Sequence, residues 1–74
     1  MKILLFLFLI FAVNNDKARE ANKAYADGDF DRAIELYNQV LAETPNDTKV
    51  VFNLANALAK AGRPQDAAMM FDKY

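Results

Sequence analysis

Amide and basic side chains share one face of a predicted helix in the second half of the chain. Lys49, Asn53, Asn56 and Lys60 recur at the spacing of successive helical turns, and Phe52 lies beside them. Asparagine amides both donate and accept hydrogen bonds, while lysine ammonium groups attract negative charge. This combination suits an extended peptide backbone that carries acidic side chains or a free carboxylate. We therefore expect a binding face rather than a reactive centre.

Side chains for catalysis are scarce. The chain has no His, no Cys and no Ser, which removes histidine general bases, nucleophilic triads and the common transition-metal ligands. Two glycines are too few for a phosphate-binding loop. The sequence places no acidic residue in an apolar pocket, where the carboxyl pKa would be raised for acid–base catalysis. We expect no enzyme activity, no metal and no cofactor.

Residues 27–31 alternate aspartates with other residues, as the start of a calcium-binding loop does. Such a loop also needs glycine at its sixth position and glutamate at its twelfth, where this chain has Arg32 and Asn38. Asp29 and Asp31 fit better at a helix start, where the helix dipole favours negative charge.

Charge and size exclude further classes. Nine basic and ten acidic side chains give a net charge of −1, without the concentrated basic surface that nucleic-acid binding needs. Without cysteine the redox compartment cannot be inferred. A helical unit of about 60 residues buries little surface and is only marginally stable alone.

Residue types repeat at a constant offset of 34 positions. Gly28 matches Gly62, and the further pairs are Ala21 with Ala55, Asn22 with Asn56, Ala24 with Leu58, Ala33 with Ala67, and Tyr37 with Phe71. A fixed period of this length is typical of stacked helix-turn-helix arrays. The alanines are expected where paired helices cross closely, and the aromatic residues in the gap beyond each crossing. Four unrelated amphipathic helices would not reproduce these matches.

Local signals predict four helices. The first covers about residues 16–27 and ends at Gly28, which can adopt a left-handed conformation. Asp29 caps the second helix, which ends before Pro45. The apolar stripe of the second helix is predicted to be Phe30, Ala33, Ile34, Tyr37 and Leu41.

Asp47 or Thr48 is expected to cap the third helix, which Gly62 ends, and Pro64 begins the fourth. The buried stripe of the third helix is predicted to be Val51, Leu54, Ala55 and Leu58. The apolar face of the fourth continues through Ala67, Met70 or Phe71, and Tyr74.

The repeat from Ala21 to Pro45 and its partner from Phe52 to Tyr74 resemble the tetratricopeptide repeat family, over roughly residues 16–74. The resemblance implies an all-α fold of antiparallel helix-turn-helix repeats, with repeat one at about 16–47 and an incomplete repeat two at about 48–74. It also implies that the first helix of each repeat lines a concave groove.

The peptide-binding groove expected from this resemblance adds residues of the first helix to the polar face described above. Its members are Arg19, Asn22, Tyr25, Lys49, Phe52, Asn53, Asn56 and Lys60. Some members of the family clamp the terminal carboxylate of a partner with five such positions, of which Asn22 and Asn53 match here. Ala18 stands at the first lysine position, and a third repeat that would carry two basic residues is absent. Generic solvated groove residues are the alternative reading.

Two departures from the family pattern concern the ends of the array. Lys17 and Glu20 occupy positions that are usually large and apolar, as terminal repeats often allow. Tyr74 lies on the apolar face of the fourth helix without a capping helix after it, which would leave Phe71 exposed as well. We expect either a fragment of a longer array or a core completed by self-association.

The first fifteen residues differ from the rest. Met1 and Lys2 precede eleven uninterrupted apolar residues, 3–13, which as a helix span about 16 Å, roughly half of a bilayer's hydrocarbon core. Such a segment is typical of a secretory signal. A signal peptidase site needs small residues at the last and third-last positions before the cut. Cleavage after Asn14 would put Ala12 at the third-last position, which fits, but Asn14 at the last position, which does not. An uncleaved membrane tether is therefore one alternative. A hydrophobic helix packed on the repeats is another, and lipoprotein anchoring needs a cysteine that the chain lacks.

The sequence therefore predicts residues 1–15 as a signal peptide or hydrophobic anchor and residues 16–74 as a non-enzymatic interaction module. The expected partner is a protein or peptide segment, acidic or with a free terminal carboxylate. Nucleic acid is not expected, and membrane contact is expected only through residues 1–15. Periplasmic, secreted or membrane-tethered localisation follows from that segment. A self-assembling scaffold, with a possible homo-oligomer, is the alternative function.

Overall fold

The computed structural model of the chain describes residues 16–73, which form four helices without a strand. The helices are α1 at residues 16–26, α2 at Phe30–Glu43, α3 at Thr48–Lys60 and α4 at Pro64–Lys73. The predicted all-α class of helix-turn-helix repeats is confirmed. The predicted signal segment and Tyr74 lie outside the described residues. Within residues 16–73 no helix has the length and apolar character that a membrane crossing requires.

The turns that follow α1 and α3 use the same backbone hydrogen bonds. The glycine of each turn has a φ of 82°, a left-handed conformation that side chains with a Cβ avoid. The N–H of Asp29 donates to the carbonyl of Ala24 at 2.8 Å, and 34 residues later Arg63 donates to Leu58 at 2.8 Å. The period of the sequence is therefore also a period of the backbone.

Aspartate side chains cap the N-termini of two helices, α2 and α3. Asp29 accepts a hydrogen bond from the backbone N–H of Arg32 at 3.3 Å, and Asp47 accepts one from Val50 at 3.3 Å. Each bond satisfies a donor that the first helical turn leaves without an internal partner. Asp47, rather than Thr48, is thus the cap of α3. The proline that opens α4 stands where its missing N–H costs nothing.

Small side chains stand at the centre of the core, as the 34-residue pairs predict. Ala21, Ala33 and Ala55 expose no surface, and Ala67 is also buried. Tyr37, 2% exposed, is the largest fully buried side chain of the described residues. The core is therefore made of close helix crossings flanked by one large aromatic ring.

The two middle helices bury more than one stripe each. Phe30 and Leu41, predicted in the stripe of α2, are only half-buried, whereas other apolar residues are buried without having been predicted: Leu36, Val40, Val50 and Ala57. α3 packs against both α2 and α4, so it presents apolar side chains on two sides. A single-stripe prediction misses the second side because it treats each helix as lying at the edge of the core.

Phe71 and its repeat partner Tyr37 differ in burial. Tyr37 is enclosed because α3 follows α2, whereas Phe71 is 50% exposed, since no described element packs over the far side of α4. Phe71 instead meets Phe52 edge to face, with ring centroids 5.8 Å apart. The expected gap-filling role of Phe71 is thus not realised within residues 16–73.

Candidate functional site

A polar depression of ≈ 220 Å³ lies where α1, α2 and α3 meet. Its lining residues are Asn22, Tyr25, Tyr37, Asn53 and Asn56. Four of them belong to the predicted groove, and the fifth, Tyr37, comes from the neighbouring helix. The fold therefore brings amides of both repeats to one place.

A second, more open depression of ≈ 350 Å³ adjoins the first along α3 and is lined by Thr48, Lys49, Phe52 and Asn53. Because Asn53 borders both depressions, they form one continuous surface. We call this surface the groove. Lys49 and Phe52 of α3 lie at one end of it, and Tyr25 of α1 lies at the other.

The remaining two predicted residues lie outside the groove. Arg19 is exposed on α1, with its guanidinium 3.7 Å from the carboxylate of Asp16. Lys60 is exposed in the last turn of α3. Neither lines one of the two depressions. Both are exposed charges, whose ion pairs are weak and screened by salt.

Asn22 is held in one orientation by two hydrogen bonds. The hydroxyl of Tyr37 donates to Oδ1 of Asn22 at 2.5 Å, and Nδ2 of Asn53 donates to the same oxygen at the longer distance of 3.5 Å. With its oxygen occupied twice, Asn22 offers an approaching ligand mainly the two N–H groups of its Nδ2. Groups that accept from such an amide are backbone carbonyls and carboxylates.

Tyr37 joins the core to the groove. Its ring is buried, while its hydroxyl reaches the depression and bonds Asn22, 15 residues earlier in the chain. Burial raises the pKa of this hydroxyl above its ordinary value of 10.0, and repulsion from Tyr25 adds to the effect. The hydroxyl, protonated at neutral pH as tyrosine ordinarily is, therefore remains a donor to Asn22 to higher pH than an exposed tyrosine would.

Alkaline pH should reveal the buried hydroxyl. Near pH 10 Tyr37 of the unfolded chain begins to lose its proton, whereas the raised pKa of folded Tyr37 delays that loss to higher pH. The free energy of unfolding should then fall as pH rises from that value, and Tyr37→Phe should reduce this fall. Urea unfolding of both chains between pH 8 and about pH 11 would measure it. An equally steep loss in both chains would contradict the role of Tyr37.

The end of the groove on α1 is braced by an aromatic pair. The rings of Tyr25 and Phe30 meet edge to face, with centroids 5.3 Å apart. The contact spans the turn between α1 and α2 and fixes the ring of Tyr25 beside Asn22. Such pairs contribute about 0.5–1.5 kcal/mol beyond the area that they bury.

The opposite side of the α1–α2 hairpin is charged. Glu20, at a position where large apolar residues are usual, lies 3.8 Å from Arg32, and Arg32 lies 3.9 Å from Glu35. These exposed ion pairs add little stability. Within residues 16–73 no group of His, Cys, Asp or Glu is arranged to hold a metal ion.

Comparison with known proteins identifies a family. A family model described as tetratricopeptide repeat matches residues 24–74, more than half of the chain. No curated protein matched the chain. No solved structure matched it.

Proposed function

Since the chain belongs to the tetratricopeptide repeat family, whose repeats are generally protein–protein interaction modules, we propose that its groove binds a peptide segment of a partner protein. The segment carries acidic side chains or a free terminal carboxylate. The family is generally non-enzymatic, which agrees with the absence of His, Cys and Ser from the chain. The observation that carries the proposal is the convergence of three asparagines of two repeats on one depression.

The hydrogen-bonding pattern of the depression supports a peptide ligand. Asn22 presents donors, because its oxygen is already bonded to Tyr37 and Asn53. Asn53 uses one N–H on Asn22 and keeps its carbonyl oxygen as an acceptor, while Asn56 adds both kinds of group. A peptide unit has one acceptor and one donor, so these amides can satisfy both.

The charges around the groove support an acidic ligand. Lys49 lines the groove, while Lys60 and Arg19 are exposed on α3 and α1, the helices that carry the groove asparagines. Exposed charges of this kind steer a ligand and add modest affinity that falls as salt is raised. Because the contact is small and partly polar, the expected dissociation constant is on the order of tens of micromolar or weaker.

Reversing the two lysine charges of α3, one in the groove and one a turn beyond it, should reverse the ligand preference. The double variant Lys49→Glu with Lys60→Glu should bind an acidic peptide more weakly than the original chain and a basic peptide more tightly. Titration calorimetry at low and high salt would measure both affinities. The control is Lys17→Glu with Lys23→Glu, which changes the net charge equally but lies outside both depressions of the groove. An equal change in both double variants would mean that net charge, and not the groove, selects the ligand.

Export is the second part of the proposal, and it rests on the apolar run at residues 3–13. A reporter fused after residues 1–20 should cross a membrane, and Leu7→Arg should block its passage because the charge interrupts the apolar run. Leu7→Ile is the matched control and should leave passage intact. Cytosolic retention of the unmodified fusion would refute export. Mass spectrometry of the reporter that has crossed the membrane would locate any cleavage site.

A further inference from the structure

The bond between Tyr37 and Asn22 identifies which atom of the amide faces the core. Its length of 2.5 Å is typical of an O–H···O bond, whereas an N–H···O bond seldom falls below about 2.7 Å. The side chain of Asn22 therefore turns its oxygen toward the hydroxyl and its nitrogen away from it. Turning the amide over would leave the hydroxyl proton of Tyr37 without this acceptor, which is costly for a partly buried group.

Of the two bonds to Asn22, the one from Tyr37 decides this orientation. The ring of Tyr37 is 2% exposed and packs within the core cluster, so the hydroxyl stays in place. The bond from Asn53 is exposed and 3.5 Å long, at the outer limit for a hydrogen bond. Asn53 is itself an amide and can offer its oxygen to Asn22 as readily as its nitrogen. Without the hydroxyl of Tyr37, both asparagines can therefore turn over together.

The second repeat contains the same amide without the hydroxyl. Asn56 lies 34 residues after Asn22, and Phe71 lies 34 residues after Tyr37. Phenylalanine has no hydroxyl, so Phe71 cannot make the counterpart of the bond that holds Asn22. Asn56 also lines the depression. The depression thus combines one amide that the core fixes with one that its own repeat does not fix in this way.

From this difference we propose that Tyr37 is the positioning residue that makes Asn22 a fixed donor, and that the groove thereby selects a terminal carboxylate over a terminal amide. The inference rests on the proposed function of the groove. A carboxylate only accepts hydrogen bonds, so either of its oxygens matches the Nδ2 donors of Asn22. A terminal amide also carries two donors, which the fixed amide of Asn22 cannot accept.

Two synthetic peptides without acidic side chains test the role of Tyr37 on the full chain. They differ only at the carboxyl terminus, which is a free carboxylate in one and an amide in the other. In calorimetry at high salt, which screens the lysine charges, the original chain should bind the carboxylate peptide roughly tenfold more tightly. Tyr37→Phe should lower this ratio to about twofold, because Asn22 can then turn its oxygen toward the amide peptide.

The ratio of the two affinities separates positioning from stability. Partial unfolding weakens the binding of both peptides by the same factor, so it leaves their ratio unchanged. Thr44→Val is the matched control, because it removes the hydroxyl bond to the carbonyl of Val40 at the end of the same helix and lies outside both depressions. This variant should keep the ratio of the original chain.

A double-mutant cycle tests whether the hydroxyl acts through Asn22. Tyr37→Phe should weaken binding of the carboxylate peptide about fivefold in the original chain and less than about twofold in Asn22→Ala. A ratio near one in the original chain, an unchanged ratio in Tyr37→Phe, or an equal loss in both backgrounds would overturn the role of Tyr37 alone. If neither peptide bound the original chain, the free-carboxylate form of the proposed function would be overturned, and the inference with it.

Discussion

Replacing Ala33 by leucine should lower the thermal midpoint of the chain by more than any exposed substitution of the same size. Ala33 exposes no surface and belongs to the same buried cluster as Ala21, so added methylene groups have no space without displacing a helix. Overpacking of this kind costs about 1–3 kcal/mol. A core of this size rarely supplies more than about 3–5 kcal/mol in total, so most of the stability is at risk.

The same helix offers the control for this substitution. Ala42→Leu adds the same atoms to α2 at an exposed position and should be nearly neutral. Thermal melts followed by circular dichroism would measure both variants, with a shift of about 4–8 °C expected for each kcal/mol. Ala67→Leu and exposed Ala68→Leu repeat the comparison in α4. Equal losses at buried and exposed alanines would refute the packing register.

Binding of an acidic peptide should be lost when Asn22 is replaced by aspartate, although the fold should persist. Aspartate retains an oxygen for the Tyr37 hydroxyl and for Asn53 Nδ2, so the internal bonds survive. The substitution removes the donors that face the groove and adds a negative charge beside the ligand. Hydrogen bonds to charged groups are worth about 1.5–3 kcal/mol, so we expect a loss of at least about tenfold in affinity.

Asn38→Asp provides the matched control, since it makes the same chemical change at an exposed position of α2 outside the groove. It should leave the affinity within about twofold, because a single exposed charge outside the site is screened. Melting curves of the two variants should coincide with that of the original chain. Retention of affinity in Asn22→Asp would show that this amide does not contact the ligand.

Helix boundaries were predictable because they depend on residues close in sequence. The turn glycines, Asp29, Asp47 and the prolines each act on the backbone within a few residues, so their effect needs no knowledge of the fold. The buried alanines were also predictable, since Ala33 and Ala67 occur at equivalent places of the repeat. The groove positions on α1 came only from the resemblance to a family.

The remaining features depend on contacts between distant residues. The bond from Tyr37 to Asn22 joins two helices, and a periodicity that assigns Tyr37 to the core gives no hint that its hydroxyl reaches the groove. Burial of Val50 similarly depends on α3 having neighbours on two sides. The edge-to-face contact between Phe52 and Phe71 likewise joins two helices, so it follows from packing and not from a local pattern.

The hydrogen bond from Asn53 to Asn22 crosses from one repeat to the next, so the proposed ligand would couple its occupancy to the folding equilibrium. A peptide that held both amides, as proposed, would bind only while α1 and α3 are stacked and would remove molecules from the unfolded population by mass action. At a free peptide concentration of 100 times its dissociation constant, this linkage adds about 2.7 kcal/mol. For a small chain whose own core rarely supplies more than about 3–5 kcal/mol, the concentration of the proposed partner would then set much of the folded fraction.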